Sequence, residues 1–134
     1  MNTIYEHMSS PVVSVKSDSN AIDGIAKMYK NNISALLVEN DGRYVGIFTK
    51  ADWIDMIRKE LCDPNTIKIS EIMVNPIIKI EKGETLAKAI SLIENNHIRH
   101  LVVTDNDMII GMFSVKDLEK YFCQLHDQEG IAKY

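Results

Sequence analysis

The stretch Gly46-Ile-Phe-Thr-Lys-Ala-Asp52, GIFTKAD, returns as Gly111-Met-Phe-Ser-Val-Lys-Asp117, GMFSVKD, 65 positions later. A glycine, two apolar residues, a hydroxyl and a carboxylate keep the same order in both. Working outward, Ile4 to Trp53 aligns with Ile69 to Leu118 without a gap, and 12 of these 50 pairs are identical. The identities include Glu6 with Glu71, Met8 with Met73, Pro11 with Pro76, Ile25 with Ile90 and Asn31 with Asn96. Val13 against Ile78 and Leu37 against Val102 exchange one apolar residue for another, so the repeat also preserves burial. Two copies are too few for a solenoid. They predict two half-domains packed about a pseudo-twofold axis.

Each copy has the same order of elements, β-α-β-β-α, in a mixed α/β fold. A short helical turn at IYEHM or ISEIM leads past a proline into VVSV or IIKI, whose β-branched side chains suit a buried strand. A helix follows. Thr85 is its predicted N-cap in the second copy, where Leu86, Ala89, Ile90 and Ile93 share one face. In the first copy Ile22, Ile25 and Met28 or Tyr29 take that role, with Gly24 weakening the helix by about 1 kcal/mol relative to alanine. Two strands then meet at a tight turn, Asp41-Gly42 in the first copy and an Asn/Asp turn in the second. A second helix starts after Thr49 or Ser114. The boundaries are residues 1–62 and 69–125 for the repeats, 63–68 for a linker around Asp63-Pro64-Asn65, and 126–134 for a tail that frays.

Bulk properties narrow the function. The chain has 134 residues, 46 % of them hydrophobic, which suits one compact core. A net charge of -4 leaves no basic excess for a nucleic acid or a membrane surface. No cationic leader or run of about 20 apolar residues is present, so a soluble, cytoplasmic protein without a membrane anchor is expected. Cys62 and Cys123 match no metal or disulfide spacing and are expected to be buried or half-buried thiols. His97-x-x-His100 lacks accompanying ligands for a metal, His97 suits the negative end of a helix dipole, and His7 and His126 are read as surface residues.

Two readings fit the repeated stretch. Thr49-x-x-Asp52 and Ser114-x-x-Asp117 each stand between a strand and a helix, where hydroxyl and carboxylate cap free helix N–H groups. A helix N-terminus with a carboxylate beside it is also suited to a phosphate and a ribose diol. Both roles can coexist in one residue pair.

The tandem arrangement, the order of elements and the paired GIFTKAD and GMFSVKD resemble the cystathionine-beta-synthase (CBS) domain pair, or Bateman module. SALLVEN and IRHLVVTD at matching places and M-x-x-P-h-h ahead of each copy strengthen the likeness, which runs from Ile4 to about Leu125. The resemblance implies clefts between the repeats for an adenosine-containing ligand. Asp52 and Asp117 would hold ribose hydroxyls, with Thr49 and Ser114 at ribose or phosphate. Val13, Ile78, Ile47 and Met112 would line the adenine slot. Ser34 with Ala35, and Arg99 with His100, would face phosphate, and since only the second pair is basic one cleft should bind phosphate better. Lys50 and Lys116 could add to it or be solvated surface charges.

The expected function is a regulatory module without a required cofactor. It binds AMP, ADP or ATP, or else S-adenosylmethionine, NAD or a nucleic acid, and signals to a regulated protein that the sequence does not name. An enzyme is not indicated, because nucleophile elbows, P-loops and dinucleotide turns are missing and the two carboxylates belong to separate clefts. The alternative is a ligand-free interaction module. Trp53, Ile54, Met56, Ile57 and Leu61 spread over roughly 160° of helix surface, wider than the roughly 100° a core stripe needs. That surplus, with its repeat equivalent, points to a homodimer.

Overall fold

The computed structural model describes residues 3–10, 12–59 and 63–128. In chain order its elements are β1 (Ser14–Lys16), α1 (Ala21–Asn31), β2 (Ala35–Asn40), β3 (Arg43–Thr49), α2 (Lys50–Arg58), β4 (Lys79–Glu81), α3 (Leu86–Asn96), β5 (His100–Asp105), β6 (Met108–Ser114) and α4 (Val115–Gln128). Short 3-10 turns at Ile4–Glu6 and Ile69–Glu71 precede β1 and β4. The strands form two three-stranded sheets of identical topology, β1-β2-β3 and β4-β5-β6, each with a parallel pair followed by an antiparallel one. The mixed α/β repeat is therefore present in both copies.

The chain packs as two compact units, and their limits are offset from the sequence repeats. Val12–Ile77 forms one, here the Asp52 unit, while the described residues before Val12 join those from Ile78 onward in the other, the Asp117 unit. Each unit thus completes its core with the 3-10 turn of the other repeat. Ile69 is fully buried among Ala21, Met28, Leu36 and Phe48, and Ile4 among Ala89, Leu101, Val103 and Phe113.

The repeated glycine belongs to this exchange. Val45 and Ile110 are surplus residues in the antiparallel ladders, because Val38 faces Gly46 while Glu39 faces Tyr44, and Val103 faces Gly111 while Thr104 faces Ile109. At these bulges another chain segment comes close. A Cβ on Gly46 would lie 2.7 Å from Met73 Sδ and 2.9 Å from the Val74 carbonyl oxygen, and one on Gly111 2.7 Å from both Met8 Sδ and the Ser9 carbonyl oxygen. Two repeated identities, the glycine and the methionine, pack on each other across the repeats.

Local expectations fare well at turns and caps. Asp41 and Gly42 at φ 50° and 78°, and Asn106 and Asp107 at 50° and 70°, form the two hairpin turns. Thr85 Oγ1 accepts from Lys88 N at 3.1 Å as N-cap of α3. Segment 63–68 packs on the start of α1, where the N–H groups of Ala21 and Ile22 donate to the carbonyls of Ile67 and Pro64.

Several expectations need correction. The first strands start later than VVSV and IIKI imply, although the carbonyls of Val13 and Ile78 still accept from Leu37 and Val102 at 3.0 and 2.9 Å. Helix α1 buries Ala21, Gly24 and Met28 and leaves Ile22 and Tyr29 exposed, because the face toward β3 must admit the Phe48 ring and Ile69. Helix α4 continues through His126 to Gln128, beyond the expected start of the tail. Cys123 is exposed on it. His7 lies against the Tyr121 ring, centroids 4.6 Å apart, with its Nε2 buried. His97 is itself the C-cap of α3, in the left-handed conformation at φ 52°. Trp53 and Met56 pack into the core of their own unit, which leaves Ile54 and Ile57 as the exposed large apolar residues of α2. Pro11, Leu61, Cys62 and residues 129–134 of the expected tail lie outside the described residues.

Candidate functional site

Each unit holds one copy of the repeated stretch at a strand-to-helix junction. In the Asp52 unit Thr49 ends β3 and caps α2. Its backbone N–H donates to Asp52 Oδ2 at 2.8 Å, and the Asp52 N–H donates back to Thr49 Oγ1 at 3.3 Å. In the Asp117 unit the Ser114 N–H and Oγ donate to Asp117 Oδ2 at 2.8 and 3.1 Å, and the Asp117 N–H donates to Ser114 Oγ at 3.3 Å. The helix-cap reading is therefore realised in both copies. It does not exhaust the chemistry, since a carboxylate has about four lone-pair sites and each cap engages only Oδ2.

The second strands fix the neighbouring positions. Ala35 faces Thr49 and His100 faces Ser114 in the antiparallel ladders. The carbonyls of Ser34 and Arg99 accept from the first helical N–H groups, those of Lys50 at 2.9 Å and Val115 at 3.1 Å. Ser34, Ala35, Thr49 and Asp52 are thus brought together in one unit, and Arg99, His100, Ser114 and Asp117 in the other. Val13 and Ile78 lie one strand away, bonded to β2 and β5. Ile47 and Met112 are buried, two residues before the capping hydroxyls. Lys50 and Lys116 are exposed at the first turns of α2 and α4.

Sequence reasoning missed one contact of this site. Ile47 exchanges two backbone hydrogen bonds with Val74 at 2.8 and 2.9 Å, and Met112 does the same with Ser9. Ser9 Oγ then donates to Asp117 Oδ1 at 3.4 Å, a long bond. Val74, at the equivalent place, has no group to offer Asp52. Only the position just after the repeated methionine marked these residues, and serine against valine hid the correspondence.

Electrostatics separate the junctions further. Burial is the main cause that raises the Asp52 pKa, aided by the nearby Asp55 carboxylate and opposed by the hydrogen bonds from Thr49. Burial likewise lowers the His100 pKa, with Arg99 acting in the same direction and Asp117 against it. Among the described residues no three His, Cys, Asp or Glu side chains gather as metal ligands would, and no helix is long and apolar enough to cross a membrane.

Duplicate β-α-β-β-α units, each with a capped hydroxyl-x-x-carboxylate junction, define a tandem-repeat module. The CBS domain family model matches residues 4–59 and 69–123, and the chain belongs to that family. It is similar to the CBS domain-containing protein CBSX3, mitochondrial, of Arabidopsis thaliana, with 27 % identity over 118 residues, 84 % of this chain and 57 % of that protein. The chain spans about half the length of curated relatives such as this one. Among solved structures, the crystal structure of CBS domain NE2398 has a TM-score of 0.80 at 28 % identity, covering 92 % of this chain and 99 % of the other. The CBS domain pair of protein MJ0100, solved in complex with 5'-methylthioadenosine and S-adenosyl-L-methionine, has a TM-score of 0.79 at 21 % identity, covering 92 % and 97 %, and shares the fold.

Proposed function

We propose that this CBS pair is a regulatory module that binds an adenosine-containing ligand at its two strand-to-helix junctions, and that an adenine nucleotide, AMP, ADP or ATP, is the ligand class. One observation carries the reading. Both units hold a carboxylate at the third position of a helix with Oδ2 committed to the cap, which leaves lone pairs on Oδ1 for a diol, shared in Asp117 with the long bond from Ser9 Oγ, and burial raises the pKa of Asp52. A cap alone needs no half-buried carboxylate, since an exposed one satisfies the same N–H. The adenosine compounds in the complex of the MJ0100 pair support this ligand class. The bound state acts on a regulated protein through its differential affinity for two conformations. The module itself performs no catalysis.

A homodimer is part of the proposal. Ile54 and Ile57 on α2 and Phe122 on α4 are 48 %, 47 % and 52 % exposed, and Ile57 and Phe122 are repeat equivalents. Light scattering at micromolar concentration should give twice the chain mass, and Ile57→Lys with Phe122→Lys should give the mass of one chain.

The test of ligand binding is thermal. A ligand specific to the folded state adds about 2.7 kcal/mol at a hundredfold excess over Kd, a shift of several degrees in Tm. Melts against AMP, ADP, ATP, S-adenosylmethionine and NAD should show such a shift, and Asp117→Asn should reduce it while keeping the cap acceptor. A flat response to all five favours the second reading, a ligand-free interaction module, to which the complete capping boxes give independent support.

A further inference from the structure

The repeat supplies an internal control for the surface. In the Asp52 unit the two helices pack against each other and both carry exposed apolar side chains, Ile22 and Tyr29 on α1, Ile54 and Ile57 on α2. Their repeat equivalents in the Asp117 unit are Ala87, Glu94, Glu119 and Phe122. Glu94 and Glu119 are exposed, so the scaffold accommodates a carboxylate at these places and the fold itself calls for neither Tyr29 nor Ile54. Scattered apolar residues on a surface need no explanation. Ile54 and Ile57 are not scattered, because residues three apart on a helix are neighbours on one face.

We infer that two copies of this chain meet through α2, in an isologous, antiparallel contact of α2 with α2 that sets Asp52 unit on Asp52 unit. This pairing rests on the homodimer reading above and names the surfaces that join.

Charge decides between α2 on α2 and α2 on α4. Along one side of the two isoleucines α2 carries Asp55, joined to Arg58 at 2.5 Å and to Lys59 at 2.9 Å. A twofold axis lying in the plane between two antiparallel helices keeps both charged rims on the same side. Asp55 of each copy then comes opposite Arg58 of the other, while the isoleucines meet between the helices. Such a rim complements itself, as an isologous contact requires. Helix α4 lacks that property, since Lys120 stands at the place of Asp55, Cys123 at that of Arg58 and Glu119 at that of Ile54. Against α4, Arg58 would come opposite Lys120, a repulsion. The apolar contact would also shrink, with Glu119 and Phe122 in place of the second pair of isoleucines.

The full chain tests this by light scattering at micromolar concentration and by cross-linking. Wild type should have twice the chain mass. Ile54→Glu, a residue type the scaffold already holds at the equivalent Glu119, should have the mass of one chain with its thermal melt still cooperative. Lys120→Asp should leave the dimer as it is, because α4 does not stand opposite Arg58. Ile57→Cys combined with Cys62→Ser leaves Cys123 as the one native thiol. On mild oxidation, mass spectrometry of the linked peptides should join position 57 to position 57 of the second copy. A link from position 57 to Cys123, or a dimer tightened by Lys120→Asp, would set α2 against α4 and overturn the inference while the homodimer stands. A dimeric Ile54→Glu would overturn it in the same way. A wild type with the mass of one chain would remove the homodimer reading itself, and this pairing with it.

Discussion

Asp52 serves two demands that conflict. As the third residue of α2 it accepts the Thr49 N–H, which favours the ionised form, while its half-burial favours the protonated one, and burial prevails. Its folded pKa lies above 3.8, so the folded state keeps the proton longer than the unfolded chain does. Stability therefore falls as pH rises from near 3.8 through the folded value, and the cost persists at neutral pH. Asp52→Asn keeps an oxygen for the Thr49 N–H and cannot ionise. Its Tm at pH 7 should equal or exceed that of wild type, the advantage should vanish below pH 3.8, and any adenosine binding in that unit should be lost. A clear fall in Tm at pH 7 would mean that the charged cap matters more than the burial. His100 has the opposite sign: its folded pKa lies below 6.5, so its neutral form is favoured and stability is lost as pH falls from 6.5 toward the folded value. A bound phosphate would reverse that preference, because binding then takes up a proton. AMP affinity should rise on going from pH 8 to pH 6 relative to His100→Gln, by up to about tenfold per pH unit for one coupled proton. The phosphate's own titration near pH 6 is common to both proteins and cancels. Parallel pH profiles would exclude His100 from the site.

At the level of elements, what was legible in the sequence was what short-range chemistry decides. Both hairpin turns, the Thr85 cap and the capping boxes depend on residues within three or four positions of one another, so their spacing announces them. The face of α1 was misread because it depends on a distant segment. Phe48 and Ile69 press on Gly24 so closely that a Cβ there would lie 2.8 and 2.9 Å from their carbons. Periodicity counts apolar residues and cannot report that a small one is required. Gly24→Ala is therefore a test between two effects of opposite sign. Helix propensity gains about 1 kcal/mol, and overpacking a buried site costs about 1–3 kcal/mol. Because the Phe48 ring is fully buried and close-packed interiors leave little room for a ring to yield, chemical denaturation should find the variant less stable by about 1 kcal/mol. The Asp117 unit carries alanine at the equivalent position, Ala89, fully buried, so the scaffold itself tolerates a methyl when its neighbours are placed for it. A more stable Gly24→Ala would show that Ile69 yields easily and that the propensity term decides.

For the whole molecule, the same repeat that made the fold recognisable concealed how it is assembled. Met8 and Met73 are identical, as are Gly46 and Gly111, and Ile4 and Ile69. Packing each 3-10 turn on its own repeat or on the other brings the same isoleucine, methionine and glycine together, so these identities do not separate the two arrangements. The structure has the exchanged one: Ile69 N donates to Ser19 O at 2.9 Å and Ile4 N to Glu84 O at 3.0 Å. The folding unit should then follow packing and not the repeat. A fragment of residues 12–77 contains every residue of the Asp52 core, including Ile67, Ile69 and Met73, whereas a fragment of residues 1–62 contains the complete first repeat and lacks those three. Loss of one buried isoleucine typically costs about 2–5 kcal/mol, a large part of what a domain of some 60 residues has available. Residues 12–77 should show dispersed amide resonances and a cooperative melt, and residues 1–62 neither. Equal folding of the two fragments would mean that the Ile4–Glu6 turn can serve its own repeat when the exchanged one is absent, and that the offset between repeat and unit is a preference of the complete chain alone.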